Sequence, residues 1–167
     1  EKNMPYIYVE PFSGSAAFAL HLLESEHPPT AVILNDINAD LVNLYKVIKS
    51  HPHELLEYLR LLQAEYDELE DKEAKQPYYY AKREEFNNRE ANNIEHAGLF
   101  IFLNRAGFNG LYRVNSKNKF NVPIGSYKKP SFVFEDTILQ ASRVLANVEI
   151  YNQSYEDTLT HLERLNS

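Results

Sequence analysis

Glu10, Gly14 and Asp36 stand where two short apolar runs end, and their types and spacing suit the binding of a nucleoside cofactor. The stretch YVEPFSGSAA, residues 8–17, passes from apolar residues through an acid and one glycine into a small-residue helix start. Asp36 lies 22 residues beyond Gly14, just after the run AVIL, where a carboxylate can accept hydrogen bonds from both ribose hydroxyls. Dinucleotides and S-adenosylmethionine share that geometry. A pyrophosphate loop wants more glycines for close backbone approach and no carboxylate beside the phosphates. S-adenosylmethionine carries a sulfonium and an ammonium instead, so Glu10 favours it over NAD. Helix capping is the competing reading of both acids, and for either acid taken alone it fits at least as well.

A second set of residues points to nucleic acid. From His96 to Phe134 there is no Asp or Glu, whereas Arg105, Arg113, Lys117, Lys119, Lys128 and Lys129 place six of the 17 basic residues there, in a chain of net charge −7. The same segment, NRAGFNGLYRVNSKNKFNVPIGSYKKP over residues 104–130, interleaves Phe108, Tyr112, Phe120 and Tyr127 with the amides Asn109 and Asn115. Cations grip phosphates, and amides and guanidinium groups can read base edges. A surface loop that happens to lack acids is the plainer reading. It is the weaker one where 24 of 167 residues are acidic. His51 and His53 flank a proline without an acid placed to complete a metal site, and a turn explains them; Tyr78 to Tyr80 read as helix packing. No Walker loop, zinc spacing or nucleophile elbow occurs.

The elements that must position these residues follow from periodicity and turn residues. Tyr6 to Val9 and Ala31 to Leu34 read as buried strands around a helix over Ala16 to Leu23, a βαβ unit. Asn38 is an expected N-cap for a helix whose face is Leu41, Leu44, Tyr45 and Ile48, ended by Pro52. A helix from about His53 to Glu70 has Leu55, Leu56, Leu59, Leu62 and Tyr66 as its stripe. ELEDKEAKQ reads as a solvated helix end and linker, with Pro77 near the first turn of the next helix; Ile94 to Leu103 is an apolar helix. Between Gly107 and Pro130 the runs LYRV and KFNVPI around NSKN read as a hairpin. Helix returns over Glu135 to Leu145, then a strand over Val148 to Tyr151 and a last helix after Tyr155. The 167 residues, 44% hydrophobic, can build a real core; no cysteine, membrane span or signal pattern is present, so a soluble, intracellular protein is expected.

With these motifs in order, YVEPFSGSAA, LNDINADLVNLYKVIK, LFIFLNRAGFNGLYRVN and FNVPIGSYKKP, the chain resembles the DNA adenine-N6 methyltransferases of the Dam-like class over nearly its whole length. The resemblance implies an α/β fold: a Rossmann-like S-adenosylmethionine-dependent core with a mainly helical DNA-recognition insertion bearing a β-hairpin. Residues 1–52 and 135–167 would form the core and 53–134 the insertion. It makes Glu10, Pro11, Phe12, Gly14, Asp36, Ser154 and Tyr155 the cofactor site, with Ala16 in place of the family's second loop glycine. Phe108 matches an aromatic that wedges beside the target base, with Asn109 next to it; Leu111, Arg113 and Pro123 match base-edge contacts, and Lys128 a further DNA contact. Arg105, Asn115 and Lys129 complete the expected DNA-binding set.

The reaction so implied is methyl transfer to adenine N6 in double-stranded DNA, in restriction-modification or Dam-type marking, by a cytoplasmic bacterial or phage enzyme that is a monomer or weak dimer. A cognate restriction endonuclease is an implied partner. The family's catalytic Asp/Asn-Pro-Pro-aromatic motif is absent from these residues: the lone Pro28-Pro29 is followed by Thr30 and precedes the second strand. That motif is expected just after Ser167, and a lysine-bearing loop before Glu1. A catalytically inactive DNA-binding remnant is the rival reading, and an NAD-dependent enzyme the third.

Overall fold

The structure is a computed structural model that describes residues 6–10, 14 and 23–165. The helix expected over residues 16–23 lies, but for Leu23, outside them, as do Pro11, Phe12 and Ala16. Two compact units divide the chain, residues 1–50 with 137–167, and residues 51–136.

Among the described residues the first unit is built on a parallel sheet of three strands in the order β1 (Ile7–Glu10), β2 (Ala31–Asn35) and β3 (Val148–Tyr151). Tyr8 pairs with Val32, and Val32 with Val148, so the C-terminal ends of all three strands share one edge. The run AVIL in the central strand is apolar at consecutive positions, as a strand covered on both faces requires, and Val32, Ile33 and Leu34 are all buried. Helix α1 (Ala39–Ser50) begins at Asn38, whose Oδ1 accepts from Asp40 N at 3.0 Å and Leu41 N at 3.2 Å. Its buried apolar side is Val42, Leu44, Tyr45 and Val47, while Leu41 and Ile48 are half-buried at its margin. The face is therefore wider than the expected one. Tyr45 joins Val32, Leu34, Leu145 and Val148 in the core, to which α5 (Glu135–Leu145) contributes its last residue. Helix α6 (Tyr155–Leu165) follows β3.

The second unit is mainly helical: α2 (Pro52–Asp67), α3 (Lys72–Asn88), α4 (Asn93–Ala106) and a short 3-10 turn, Phe108–Gly110. All five residues of the expected α2 stripe are buried. Tyr66, Phe102 and Phe132 pack edge to face with ring centroids 4.9–5.7 Å apart, the geometry that aromatic quadrupoles favour. The expected linker is shorter than its polarity suggested. Asp71 accepts from Ala74 N at 2.9 Å and starts α3 at Lys72, so Pro77 sits inside the helix rather than in its first turn. A capping carboxylate can start a helix ahead of a proline, whose missing N–H forgoes a single bond.

The expected hairpin is reduced to two isolated antiparallel bridges, Gly107 with Ile124 and Val114 with Phe120. Its second arm is carried largely by α3. Asn87 donates from Nδ2 to Phe120 O at 2.9 Å and accepts Phe120 N at Oδ1 at 2.7 Å, while Tyr79 OH and Arg83 Nη1 donate to Val122 O at 2.9 and 3.1 Å. Helix side chains satisfy backbone groups that a continuous ladder would otherwise pair.

Candidate functional site

In the first unit the candidate residues gather at the C-terminal edge of the sheet. Gly14 has φ +46°, a left-handed conformation that favours glycine, and among the described residues a Cβ there would meet nothing within 4 Å. Asp36 Oδ2 accepts from Gly14 N at 3.0 Å, and its Oδ1 accepts from Asn38 N at 2.8 Å. The carboxylate thus ties the glycine turn to the loop after β2, 22 residues away. Tyr45 OH donates to Gly14 O, so both backbone groups of Gly14 are held by the β2–α1 region. Burial pushes the Tyr45 hydroxyl well above its ordinary value, with Asp36 and then Glu10 adding to the effect. Two carboxylates therefore act on one spot, and Glu10 is half-buried at the end of β1.

The loops after β2 and β3 are fastened to each other by amides. Asn35, 1% exposed, donates to Gln153 O at 3.0 Å and accepts Gln153 N at 2.9 Å. Asn152 donates to Asp36 O at 2.8 Å and Ile37 O at 3.1 Å. Ser154 Oγ accepts from Asp157 N at 3.2 Å and donates to Asp157 Oδ2 at 2.8 Å, which makes it the N-cap of α6. Tyr155, the first residue of that helix, is exposed beside it. Of the expected cofactor residues, the structure thus brings Gly14 into direct contact with Asp36 and places Glu10 near them, whereas Ser154 is engaged in capping. Pro11 and Phe12 lie outside the described residues.

In the second unit, all nine residues expected to meet DNA are exposed: Arg105, Phe108, Asn109, Leu111, Arg113, Asn115, Pro123, Lys128 and Lys129. Their apolar neighbours Phe120, Val122 and Phe132 are buried. Phe108 and Leu111 remain 48% and 44% exposed. Phe108 N donates to Pro123 O at 2.9 Å, and Asn104 Nδ2 donates to Gly110 O at 2.7 Å, fixing the turn that presents Phe108 and Asn109. A Cβ on Gly107 would lie 2.4 Å from Leu103 O and 3.0 Å from Tyr79 OH, so glycine is a steric requirement at the root of this turn.

Other members have local duties as well. Asn115 Oδ1 accepts from Lys117 N at 2.9 Å and Lys119 N at 3.1 Å, closing the turn between the two arms. Arg105 donates from Nε to Ser131 O at 3.1 Å and lies 4.8 Å above the Phe134 ring. Lys75 Nζ donates to Lys128 O at 2.9 Å, and Gln63 bridges Pro130 O and Phe132 N, so helices α2 and α3 position the Lys128–Lys129 segment. That segment rims a cleft of about 980 Å³ whose lining mixes Asp67 and Asp71 with Lys75 and Lys128. Sequence reasoning missed the supporting shell: Tyr45 was legible only as a helix face, Asn35 only as a strand end, and Asn87 and Gln63 carried no local signal.

Comparisons with known proteins bear on both regions. Among the relatives, the "Type II methyltransferase M.MjaIII" of Methanocaldococcus jannaschii is 40% identical over 151 residues, 89% of this chain and 52% of that protein. The "DNA adenine methylase" of Escherichia coli K12 is 36% identical over 155 residues, 93% of this chain and 51% of that protein. The "Type II methyltransferase M1.LlaDCHI" of Lactococcus lactis is 35% identical over 145 residues, 86% and 47% of the two chains. The chain spans about half the length of the curated relatives it matches. Residues 1–166 match the family described as "D12 class N6 adenine-specific DNA methyltransferase", and the chain belongs to that family.

Proposed function

We propose that this chain supplies the cofactor-binding and DNA-recognition parts of a site-specific adenine-N6 methyltransferase that uses S-adenosylmethionine and double-stranded DNA. The observation that carries the reading is the second unit's acid-free segment, where every residue matched to a DNA contact is exposed while its apolar supports are buried. The three parallel strands are read as part of a Rossmann-like core, with residues 53–134 as the recognition insertion between 1–52 and 135–167.

The donor set of the first unit fits the cofactor. Glu10 and Asp36 make the sheet edge anionic, which suits a sulfonium and an ammonium and opposes phosphates. Asp36 retains acceptor capacity on both oxygens for ribose hydroxyls beyond its bonds to Gly14 and Asn38. When bound, the cofactor supplies an electrophilic methyl group. In the second unit, Phe108 would fill the space left by a flipped base, Arg113 and Asn109 would meet base edges, and Lys128 and Lys129 would hold phosphates. The acceptors for the N6 hydrogens in this family belong to the Asp/Asn-Pro-Pro-aromatic motif, which these residues do not contain.

The named relatives include both type II methyltransferases and a DNA adenine methylase, and a restriction-modification role with a cognate endonuclease and a Dam-type marking role are both compatible with them. The cytoplasm of a bacterium or of a phage-infected cell is the proposed place of action, and a monomer or weak dimer the proposed state; among the described residues no helix is long and apolar enough to cross a membrane. Incubating the full-length protein with labelled S-adenosylmethionine and duplex DNA, then digesting to nucleosides, tests the activity. Label in N6-methyladenine is expected. DNA binding without any label would leave the non-catalytic remnant as the correct reading.

A further inference from the structure

Arg113 is the one exposed guanidinium of the two arms, and it is held by a single residue on the opposite arm. Its Nε donates to Asn121 Oδ1 at 2.8 Å and its Nη2 to Asn121 O at 3.3 Å. Asn121 N in turn donates to Arg113 O at 3.1 Å, so the two residues are joined through backbone and side chain at once. Asn121 is itself set between two anchored neighbours: Phe120 is clamped by Asn87, and Val122 O accepts from Tyr79 and Arg83. Phe120 and Val122 turn inward and are buried; Asn121, between them, is half-buried and turns toward Arg113.

A guanidinium has two forked edges, one formed by Nε and Nη2, the other by Nη1 and Nη2. Asn121 occupies the first. The second keeps two parallel N–H donors, the pattern that matches O6 and N7 of guanine in the major groove. We propose that Asn121 is a positioning residue for base reading: it fixes the Arg113 guanidinium so that its terminal fork, rather than its side edge, faces a guanine. The proposal rests on the DNA-methyltransferase reading and assigns the specificity at one base pair to an amide that need not touch DNA to supply it. Without Asn121 Oδ1, only the longer bond from Nη2 to Asn121 O remains, the guanidinium turns more freely about Cδ–Nε, and the entropy of fixing it falls on the binding step.

The experiment uses the full-length protein and duplexes containing its methylation site, mapped beforehand from the N6-methyladenine it deposits. Each guanine of the site is replaced in turn by 7-deazaguanine, which removes the N7 acceptor while keeping base pairing. Wild type is expected to lose about tenfold in affinity at one guanine, and Arg113→Ala to lose that sensitivity. Asn121→Ala is expected to reduce the penalty at the same guanine to about twofold, and Asn121→Asp, which keeps an acceptor for Nε, to restore it. A merely structural asparagine would weaken all duplexes alike and leave the penalty at about tenfold. That outcome, or loss of the penalty in a folded Asn121→Asp, overturns the proposal. If Arg113→Ala keeps the penalty, base reading by Arg113 fails and the role of Asn121 with it. Absence of any site-specific methylation or duplex binding overturns instead the functional reading beneath both.

Discussion

Replacing Asn87 by alanine removes the strongest attachment of the second arm to helix α3. Its amide makes two hydrogen bonds to one residue, to Phe120 O at 2.9 Å and from Phe120 N at 2.7 Å, and the sequence separation of 33 residues means that no local structure replaces them. Each such bond contributes roughly 0.5–1.5 kcal/mol net, and a backbone group left partly buried without a partner adds about 1 kcal/mol more. Phe120 is 4% exposed but its backbone contacts are only partly buried, so water recovers some of the loss. The expected cost is about 2–3 kcal/mol. With a urea dependence of roughly 1–2 kcal/mol per molar for a unit of this size, the midpoint of the 51–136 unit should fall by on the order of 1–3 M, read by far-UV circular dichroism. Amide exchange at Phe120 should speed up in parallel. Asn87→Asp, which keeps an acceptor for Phe120 N but sets a carboxylate against Phe120 O, should lie between. A midpoint within about 0.3 M of wild type, with Phe120 still protected, would refute the reasoning and show that Tyr79 and Arg83 alone hold the arm.

Three further outcomes are expected. Asp36→Ala should weaken S-adenosylmethionine binding at least about tenfold by calorimetry, since hydrogen bonds to a charged acceptor are worth roughly 1.5–3 kcal/mol each; unchanged affinity in a folded variant would confine Asp36 to fastening Gly14. Gly107→Ala should cost about 1–3 kcal/mol by overpacking against Leu103 O and Tyr79 OH, and should disturb the Phe108 turn; a stability equal to wild type in urea titration would show that the turn yields freely. Burial raises the hydroxyls of Tyr66 and Tyr79 above the ordinary value of 10.0. Their contribution is complete below about pH 10 and is lost above it, because the unfolded chain gives up these protons first. Stability of the 51–136 unit should therefore fall as the pH rises above about 10, and a flat midpoint from about pH 9 to 11 would exclude it.

Much of this molecule is written locally. The α2 stripe, the Asn38 cap, the apolar run of β2 and the strand at Val148–Tyr151 each declare themselves within about ten residues, because periodicity and capping are satisfied by near neighbours. So does the chemistry of the candidate site: one glycine, two acids and a segment without acids are visible in composition alone. Local signals misled where two of them competed. The polarity of ELEDKEAKQ suggested a linker, yet Asp71 could cap a helix that runs through Pro77; the LYRV and KFNVPI runs suggested continuous strands, yet α3 pairs the backbone of the second instead.

The orientation of the site was decided only by tertiary structure. That Asp36 holds Gly14, that Tyr45 reaches the same turn, that Asn35 locks Gln153 across 118 residues, and that Asn121 holds one edge of Arg113 depend on contacts between segments distant in sequence. An amide or a carboxylate looks the same in a sequence whether it faces water, a ligand or a backbone group far along the chain. Folding chooses among those partners, because a buried or half-buried polar atom must be paired and packing determines which partner lies within reach.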